Sequence, residues 1–175
     1  MNNIIQPIND AQCQQVCELT QTYIERAMRI FEFKKVDVPV LFDLKGRASG
    51  MYRVRRGGRC IRFNPYIFSK YFEDNLASTV PHEVAHYVTD RVYGLRNIRP
   101  HGKEWQQVMH EFDVPPQVTG TYDLAGIPIR RQRRVSYHCG CATHDLTLQR
   151  HNKCQRGDVI YRCVKCGESL EPAGK

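Results

Sequence analysis

Apolar residues recur at steps of three and four along the first part of the chain, which predicts a helix. The stripe runs from Cys13 to Phe31, with Asp10 before it as the expected N-cap, so the helix should continue to about Phe33. Cys13 and Cys17 lie on this stripe and are interpreted as buried structural thiols rather than as a metal-binding pair.

Short extended segments follow the first helix. Residues 38–44 are predicted to form a strand, and residues 48–55 and 59–63 flank Arg56-Gly57-Gly58 as the two arms of a hairpin. Helical patterns then return in three further segments. The chain is therefore expected to belong to the α+β class.

The second of these helical segments contains a proline whose position leaves two interpretations open. Pro81 either begins a helix that has Ser78 or Thr79 as its N-cap, or kinks a longer helix that begins near Asp74. In both cases the helix is expected to end near Gly94, a residue type typical of helix C-termini.

The chemistry of the chain is indicated by a motif on this helix. His82-Glu83-Val84-Ala85-His86 matches H-E-x-x-H. Residues four apart lie on one helix face, so His82 and His86 can bind one metal ion. Zinc suits two imidazoles, a third protein ligand and an open position for water. Glu83 is predicted to be the catalytic general base that activates a zinc-bound water.

The third zinc ligand is expected in a helix that is predicted to begin at His101 and to continue to about Phe112. His101, Glu104 and His110 are the candidates downstream of the motif. Spacing alone leaves His101 and Glu104 open.

A second, structural zinc site is predicted from the cysteines near the end of the chain. Cys163 and Cys166 stand in a Cys-x-x-Cys-Gly turn, and Cys139 is expected to join them. The fourth ligand is His144 or Cys141. His144 is preferred, because a Cys-x-Cys pair strains a shared tetrahedral site. Zinc would hold this small module folded.

The strands of this module are predicted at 146–149 and 159–162, joined as a hairpin. Cys154 lies in the connection and is not expected to be a ligand. Two domains are therefore predicted, a core with a basic linker at 1–134 and a zinc-ribbon-like β module at 135–175.

Basic residues are unevenly distributed along the chain, whose formal net charge is +8. Residues 44–72 include eight Lys or Arg and no acid, and residues 129–175 include ten Lys or Arg against four acids. This asymmetry indicates a polyanionic partner, nucleic acid first. The expected contacts are Arg55, Arg59, Arg131, Arg133, Arg134 and Tyr161. Base stacking on Tyr161 would favour single-stranded DNA or junctions, although charge alone does not separate DNA from RNA.

Residues 1–10 lack the pattern of a signal peptide, and no apolar run is long enough to span a membrane. A cytoplasmic monomer is expected. Cytosolic cysteines stay reduced, so the eight cysteines favour metal binding over disulfides.

Several of these motifs together resemble the SprT family of zinc metalloproteases, which includes the Spartan proteases that degrade proteins crosslinked to DNA. The resemblance is carried by residues 80–86, by His101-Gly102-Lys103-Glu104-Trp105, and by residues 137–139, 150–152 and 161–167. It implies a zincin-like core with an N-terminal helix, a small antiparallel sheet and active-site helices. It also implies that His101 is the third zinc ligand.

The function expected from the motifs and the resemblance is zinc-dependent proteolysis of DNA-associated or DNA-crosslinked proteins. Two alternatives stay open at this point. One is a non-enzymatic, zinc-containing protein that binds nucleic acid, and the other is a general cytosolic zinc peptidase.

Overall fold

The computed structural model describes residues 5–56, 58–96, 98–118, 122–129 and 133–173. It divides the chain into two units, residues 1–129 and residues 130–175. Each unit contains helix and a small sheet, so the expected α+β class is confirmed. None of the helices within these ranges is long and apolar enough to cross a membrane.

The first helix, α1 (Asp10–Phe31), is capped by Asn9 rather than by Asp10. The Asn9 side chain accepts a hydrogen bond from the Gln12 N–H at 2.9 Å, and the Gln12 side chain accepts one from the Asn9 N–H at 3.1 Å. This reciprocal pair satisfies two N–H groups that the helix leaves unpaired. The helix ends before Phe33 because Glu32 adopts a left-handed conformation, with φ 49°.

The sheet of the first unit is mixed, not antiparallel as expected. Its strands are β1 (Val40–Leu41), β2 (Gly50–Arg55) and β3 (Gly58–Phe63), in the order β1-β3-β2. β2 and β3 form the predicted hairpin. β1 is shorter than predicted and runs parallel to β3, with Val40 opposite Ile61. β2 therefore lies at an edge of this sheet.

Four helices follow the hairpin: α2 (Pro65–Lys70), α3 (Phe72–Ala77), α4 (Thr79–Tyr93) and α5 (Lys103–Glu111). Pro81 lies in the first turn of α4. Backbone N–H groups in a first turn have no partner within the helix, so the N–H that proline lacks costs no helical hydrogen bond. A separate helix therefore begins behind Ser78, and Gly94 ends it as predicted. The Ser78 hydroxyl bonds back to the Asp74 carbonyl oxygen at 2.7 Å and does not cap α4. Most of α4 is buried, and it packs against α1, α3, α5 and β2.

The second unit contains β4 (Arg134–Cys139), β5 (Ala142–Thr147), α6 (Leu148–Gln155) and β6 (Glu171–Pro172), with the strand order β5-β4-β6. The predicted hairpin of residues 146–149 and 159–162 is wrong, because β4 and β5 form the hairpin. The Thr147 hydroxyl accepts from the Arg150 N–H at 3.4 Å and caps α6. Cys154 therefore lies on a helix.

Candidate active site and metal centres

Three imidazole rings converge in the first unit. The Nε2 atoms of His82 and His86 are 3.2 Å apart, those of His86 and His101 are 3.1 Å apart, and those of His82 and His101 are 3.0 Å apart. A neutral imidazole nitrogen either donates or accepts, so three of them cannot all bond to one another. Around a tetrahedral zinc ion with Zn–N of about 2.05 Å, such nitrogens would be about 3.3 Å apart. The triangle fits zinc, and these histidines form a group that could hold a metal ion.

The fold supplies these rings from two places. His82 and His86 lie one turn apart on α4, whereas His101 precedes α5 with φ 59°. Gly102 caps α5, and a Cβ on it would lie 3.0 Å from the Arg99 carbonyl oxygen. Glu104, the other candidate from spacing, is not part of the histidine group among the residues that the structure describes.

Trp105 and Gln117 support the histidine rings, although neither was assigned a role from sequence. The Trp105 ring is 1% exposed and lies 4.8 Å from both His82 and His101, centroid to centroid. Its Nε1 donates to the His82 carbonyl oxygen at 3.3 Å. The backbone of Gln117 acts on the His82 ring and opposes the lowering of its pKa. The His-Gly-x-x-aromatic motif marks Trp105 in the sequence, whereas no sequence signal marks Gln117.

Burial keeps the imidazoles neutral. It lowers the pKa of His82 to about 4 and that of His86 to about 3, and the neighbouring rings act in the same direction. Burial also lowers the pKa of His101. The neutral form is the one that binds metal, so near pH 7 a zinc ion has no proton to displace from these rings.

Glu83 lies beside the histidines with its carboxylate buried, at 6% exposure. The backbone N–H of Tyr52 donates to its Oε2 at 2.6 Å. Burial raises the pKa of Glu83 to about 8, and the hydrogen bond from Tyr52 opposes this rise. Gly50 passes so close that a Cβ on it would lie 2.6 Å from both Cγ and Oε1 of Glu83. Sequence reasoning missed both strand residues.

A cleft of about 440 Å³ opens beside His82 and Glu83. Its walls come from residues 47–50, from the junction of α3 and α4, and from Met109 together with residues 114–118. Tyr122 also lines it and donates its hydroxyl to the Asp74 carboxylate. The cleft is large enough to admit a peptide segment beside the carboxylate.

The assignment of the third ligand leads to a direct prediction. His101→Ala is expected to remove about one zinc equivalent, because two imidazoles alone leave zinc short of the three protein ligands of such sites. Glu104→Ala is the matched control and should keep the wild-type zinc content, measured by elemental analysis. Loss of zinc from the control alone would transfer the ligand role to Glu104.

The second unit brings four thiols together. The sulfur atoms of Cys139, Cys141, Cys163 and Cys166 all lie within 4.8 Å of one another. The Sγ atoms of Cys139 and Cys141 are 3.5 Å apart, and those of Cys141 and Cys163 are 3.6 Å apart. Zinc with Zn–S of about 2.3 Å would space its thiolates by about 3.8 Å. The four thiols therefore fit a tetrahedral zinc site, and Cys154 is not part of the group.

His144 lies next to the thiols but outside this group. Its Nε2 is 3.3 Å from the Cys139 Sγ. The backbone at Cys141 and the His144 ring together lower the pKa of Cys139 to about 6, which favours the thiolate that zinc binds. The arrangement of the thiols favours Cys141 as the fourth ligand, whereas the sequence favoured His144. The β4–β5 turn places the Cys141 thiol close to that of Cys163.

The arginines of the hairpin are divided between its two faces. Arg55 is exposed and lies on the same face of β2 as Arg53. Arg59 is opposite Val54 on the other face, and its guanidinium forms an ion pair with the buried Asp90. Arg59 is still partly exposed, so its predicted contact with nucleic acid stays a prediction, although its charge is already paired with Asp90.

The basic and aromatic residues of the second unit are placed unevenly. Arg133 and Arg134 are exposed, whereas Arg131 lies outside the described residues. Tyr161 is half-buried, and the Arg150 guanidinium lies 5.6 Å from its ring centroid. One face of the Tyr161 ring is thus covered. Tyr137 is buried, so it has no face free for a base.

A three-histidine group and a four-cysteine group together define a protein with two candidate metal centres. Residues 16–132 match the SprT-like family. The protein SprT of Vibrio parahaemolyticus is 35% identical over 77% of this chain and 78% of its own length. The protein SprT of Klebsiella pneumoniae is 32% identical over 90% of this chain and 91% of its own length. The protein SprT of Salmonella arizonae is 40% identical over 63% of this chain and 64% of its own length. The chain belongs to the SprT-like family.

Proposed function

We propose that this protein is a zinc-dependent endopeptidase of the H-E-x-x-H type with Glu83 as its general base. The observation that supports the proposal is the position of the Glu83 carboxylate, buried beside three converged imidazoles and lining the cleft. A purely structural zinc site is closed by four protein ligands and does not need such a carboxylate. This arrangement favours an enzyme over a non-enzymatic nucleic-acid-binding protein.

In this mechanism His82, His86 and His101 would hold the zinc ion, which supplies Lewis acidity to the water and to the scissile carbonyl when it is bound. Glu83 accepts the proton of the attacking water and then returns it to the leaving amine. Burial raises the pKa of Glu83 and so increases its affinity for that proton. The Tyr52 N–H holds one oxygen of the carboxylate and leaves the other for the water.

The substrates that we propose are proteins bound or crosslinked to DNA, preferably at single-stranded regions or junctions. Exposed arginines on β2 and at the start of β4 support the electrostatic part of this proposal: Arg55, Arg133 and Arg134. Arg53 lies on the same face of β2 as Arg55. DNA would act as a tether that raises the local concentration of proteins already bound to it.

Removing charge from the outer face of β2 is expected to weaken single-stranded DNA binding and DNA-stimulated cleavage together. Each lost phosphate contact should reduce the salt slope by about 0.7. Arg53→Ala/Arg55→Ala is compared with Lys34→Ala/Lys35→Ala, which removes the same charge from the exposed connection after α1. Fluorescence anisotropy across a salt series gives the slope, and cleavage of a DNA-binding protein is measured with and without the DNA.

Equal effects of the two double variants would show that only net charge matters. Equal cleavage with and without DNA would contradict the DNA-linked substrate and leave a general zinc peptidase.

A further inference from the structure

A partly buried chain of polar side chains joins α4 to the sheet, one helical turn beyond His86. The Tyr52 hydroxyl donates to Asp90 Oδ2 at 2.6 Å, and the Arg59 guanidinium pairs with the same oxygen. Asp90 is 7% exposed. A buried carboxylate without partners is strongly destabilising, so this contact holds Tyr52 and Arg59 firmly against α4.

Tyr52 connects this chain to the candidate general base. Its side chain reaches Asp90, while its backbone N–H donates to Glu83 Oε2 at 2.6 Å. Glu83 and Asp90 are two turns apart on the same face of α4, which corresponds to about 10 Å along the axis. One residue of β2 thus contacts the helix at two points.

The position of β2 depends on these contacts because it is an edge strand. Only β3 pairs with it among the described strands, so its other edge has no ladder of backbone hydrogen bonds to fix it. Gly50 lies on that edge in extended backbone, and a Cβ there would also be 2.7 Å from the Thr79 Cγ2. The strand therefore sits at van der Waals contact with α4, where a small shift changes the space around Glu83.

We propose that Asp90, Arg59 and Tyr52 form a positioning device that fixes β2 along α4 and thereby holds the Tyr52 amide against the Glu83 carboxylate. The three residues contact neither the cleft nor the histidine group, so they act through Glu83 and are not catalytic residues. The kinetic consequence rests on the proposed peptidase function. The hydrogen bond from the Tyr52 amide to the Glu83 carboxylate does not depend on that function, and it can be measured without any assay of activity.

Tyr52→Phe is the most direct test, because it deletes the hydroxyl and keeps the ring. In the zinc-loaded wild type, the amide proton of Tyr52 is expected far downfield in the NMR spectrum, since it bonds a carboxylate at short distance. In the variant this resonance should move upfield. On a peptide substrate, kcat should fall roughly 10- to 100-fold, while KM and zinc content stay near the wild-type values, as for a misplaced catalytic group.

Two comparisons separate positioning from a general loss of stability. Tyr93→Phe makes the same deletion on α4, at a hydroxyl that donates to the exposed Gln107 side chain at 3.4 Å, and should leave the Tyr52 resonance and kcat unchanged. Arg59→Lys keeps a cation for Asp90 and should retain more of the kcat than Arg59→Gln. Equal losses in the two Arg59 variants would contradict a role for the ion pair.

If the amide proton of residue 52 resonates at the same position in Tyr52→Phe as in the wild type, the proposal is overturned. A shifted resonance with an unchanged kcat would overturn its kinetic part. If the wild type cleaves no substrate, the peptidase function fails, whereas a shifted resonance would still establish the hold on Glu83.

Discussion

Glu83→Gln is expected to abolish peptide hydrolysis while the protein keeps its zinc. The amide has nearly the same shape, and its oxygen can still accept the hydrogen bond that the Tyr52 N–H donates at 2.6 Å. It cannot accept a proton from the attacking water. Loss of general-base catalysis should lower kcat by about 10²- to 10⁴-fold. Steady-state kinetics and elemental analysis on the same samples test both halves of the prediction.

Glu111→Gln is the matched control, because it makes the same substitution at an exposed position on α5, away from the cleft. It should retain wild-type kcat. Full activity of Glu83→Gln would refute the general-base role, and loss of zinc from it would indicate that Glu83 is a ligand instead.

Glu83→Gln also has a predictable effect on the stability of the folded protein. Burial raises the pKa of Glu83 to about 8 from 4.5, so in the metal-free protein the folded state holds a proton that the unfolded state releases. The contribution of the neutral Glu83 side chain to the stability of the folded state is complete below pH 4.5 and is lost as the pH rises toward 8. The amide side chain of the variant cannot ionise, so metal-free Glu83→Gln should melt above the wild type at pH 8 and near it at pH 4.5. The reverse order in calorimetry would contradict the burial of this group.

The part of the active site that lies within one helix could be predicted from sequence. The four-residue spacing of His82 and His86 places them on one face whatever surrounds the helix. The third ligand could not be chosen by spacing, since His101 reaches the site through a left-handed turn at φ 59° that no periodicity signals. The family resemblance resolved what local geometry left open.

The surroundings of Glu83 could not be predicted, because they come from a strand distant in sequence. Neither Gly50 nor the Tyr52 amide carries a chemical signal, and their closeness to Glu83 depends on how β2 packs on α4. Arg59 shows the same limit. Its charge suggested a surface role, but only the cross-strand register shows that it faces inward to Asp90.

The strands of the second unit were misplaced because local signals there are weak. Of residues 146–149, the first two end β5, and the last two begin α6, whose N-cap is Thr147. Residues 159–162 form only an isolated bridge between Arg162 and Ser169. The cysteines gave the clearer signal: spacing picked out Cys139, Cys163 and Cys166, whereas Cys141 was the less favoured alternative for the fourth ligand.

Cys163→Ser is expected to release about one zinc equivalent and to unfold residues 130–175. Only Tyr137, Leu146 and Cys163 are buried apolar residues among those described in this unit. Such a core is small for a unit of this length, so apolar burial alone offsets little of the cost of ordering its backbone. Structural zinc contributes about 10–16 kcal/mol in comparable small modules, so its loss should remove most of the folding free energy.

The measurement combines zinc content with NMR spectra of both units. Cys154→Ser is the matched control, since this thiol lies on α6 outside the group and should keep its zinc. Cys141→Ser should behave like Cys163→Ser, and His144→Ala should retain the metal; the opposite pair of results would make His144 the fourth ligand. Resonances of the first unit, such as the Trp105 indole, should persist in every variant because the histidine site is separate. Unchanged zinc content in Cys163→Ser would show that Cys163 is not a ligand and would contradict the four-cysteine site.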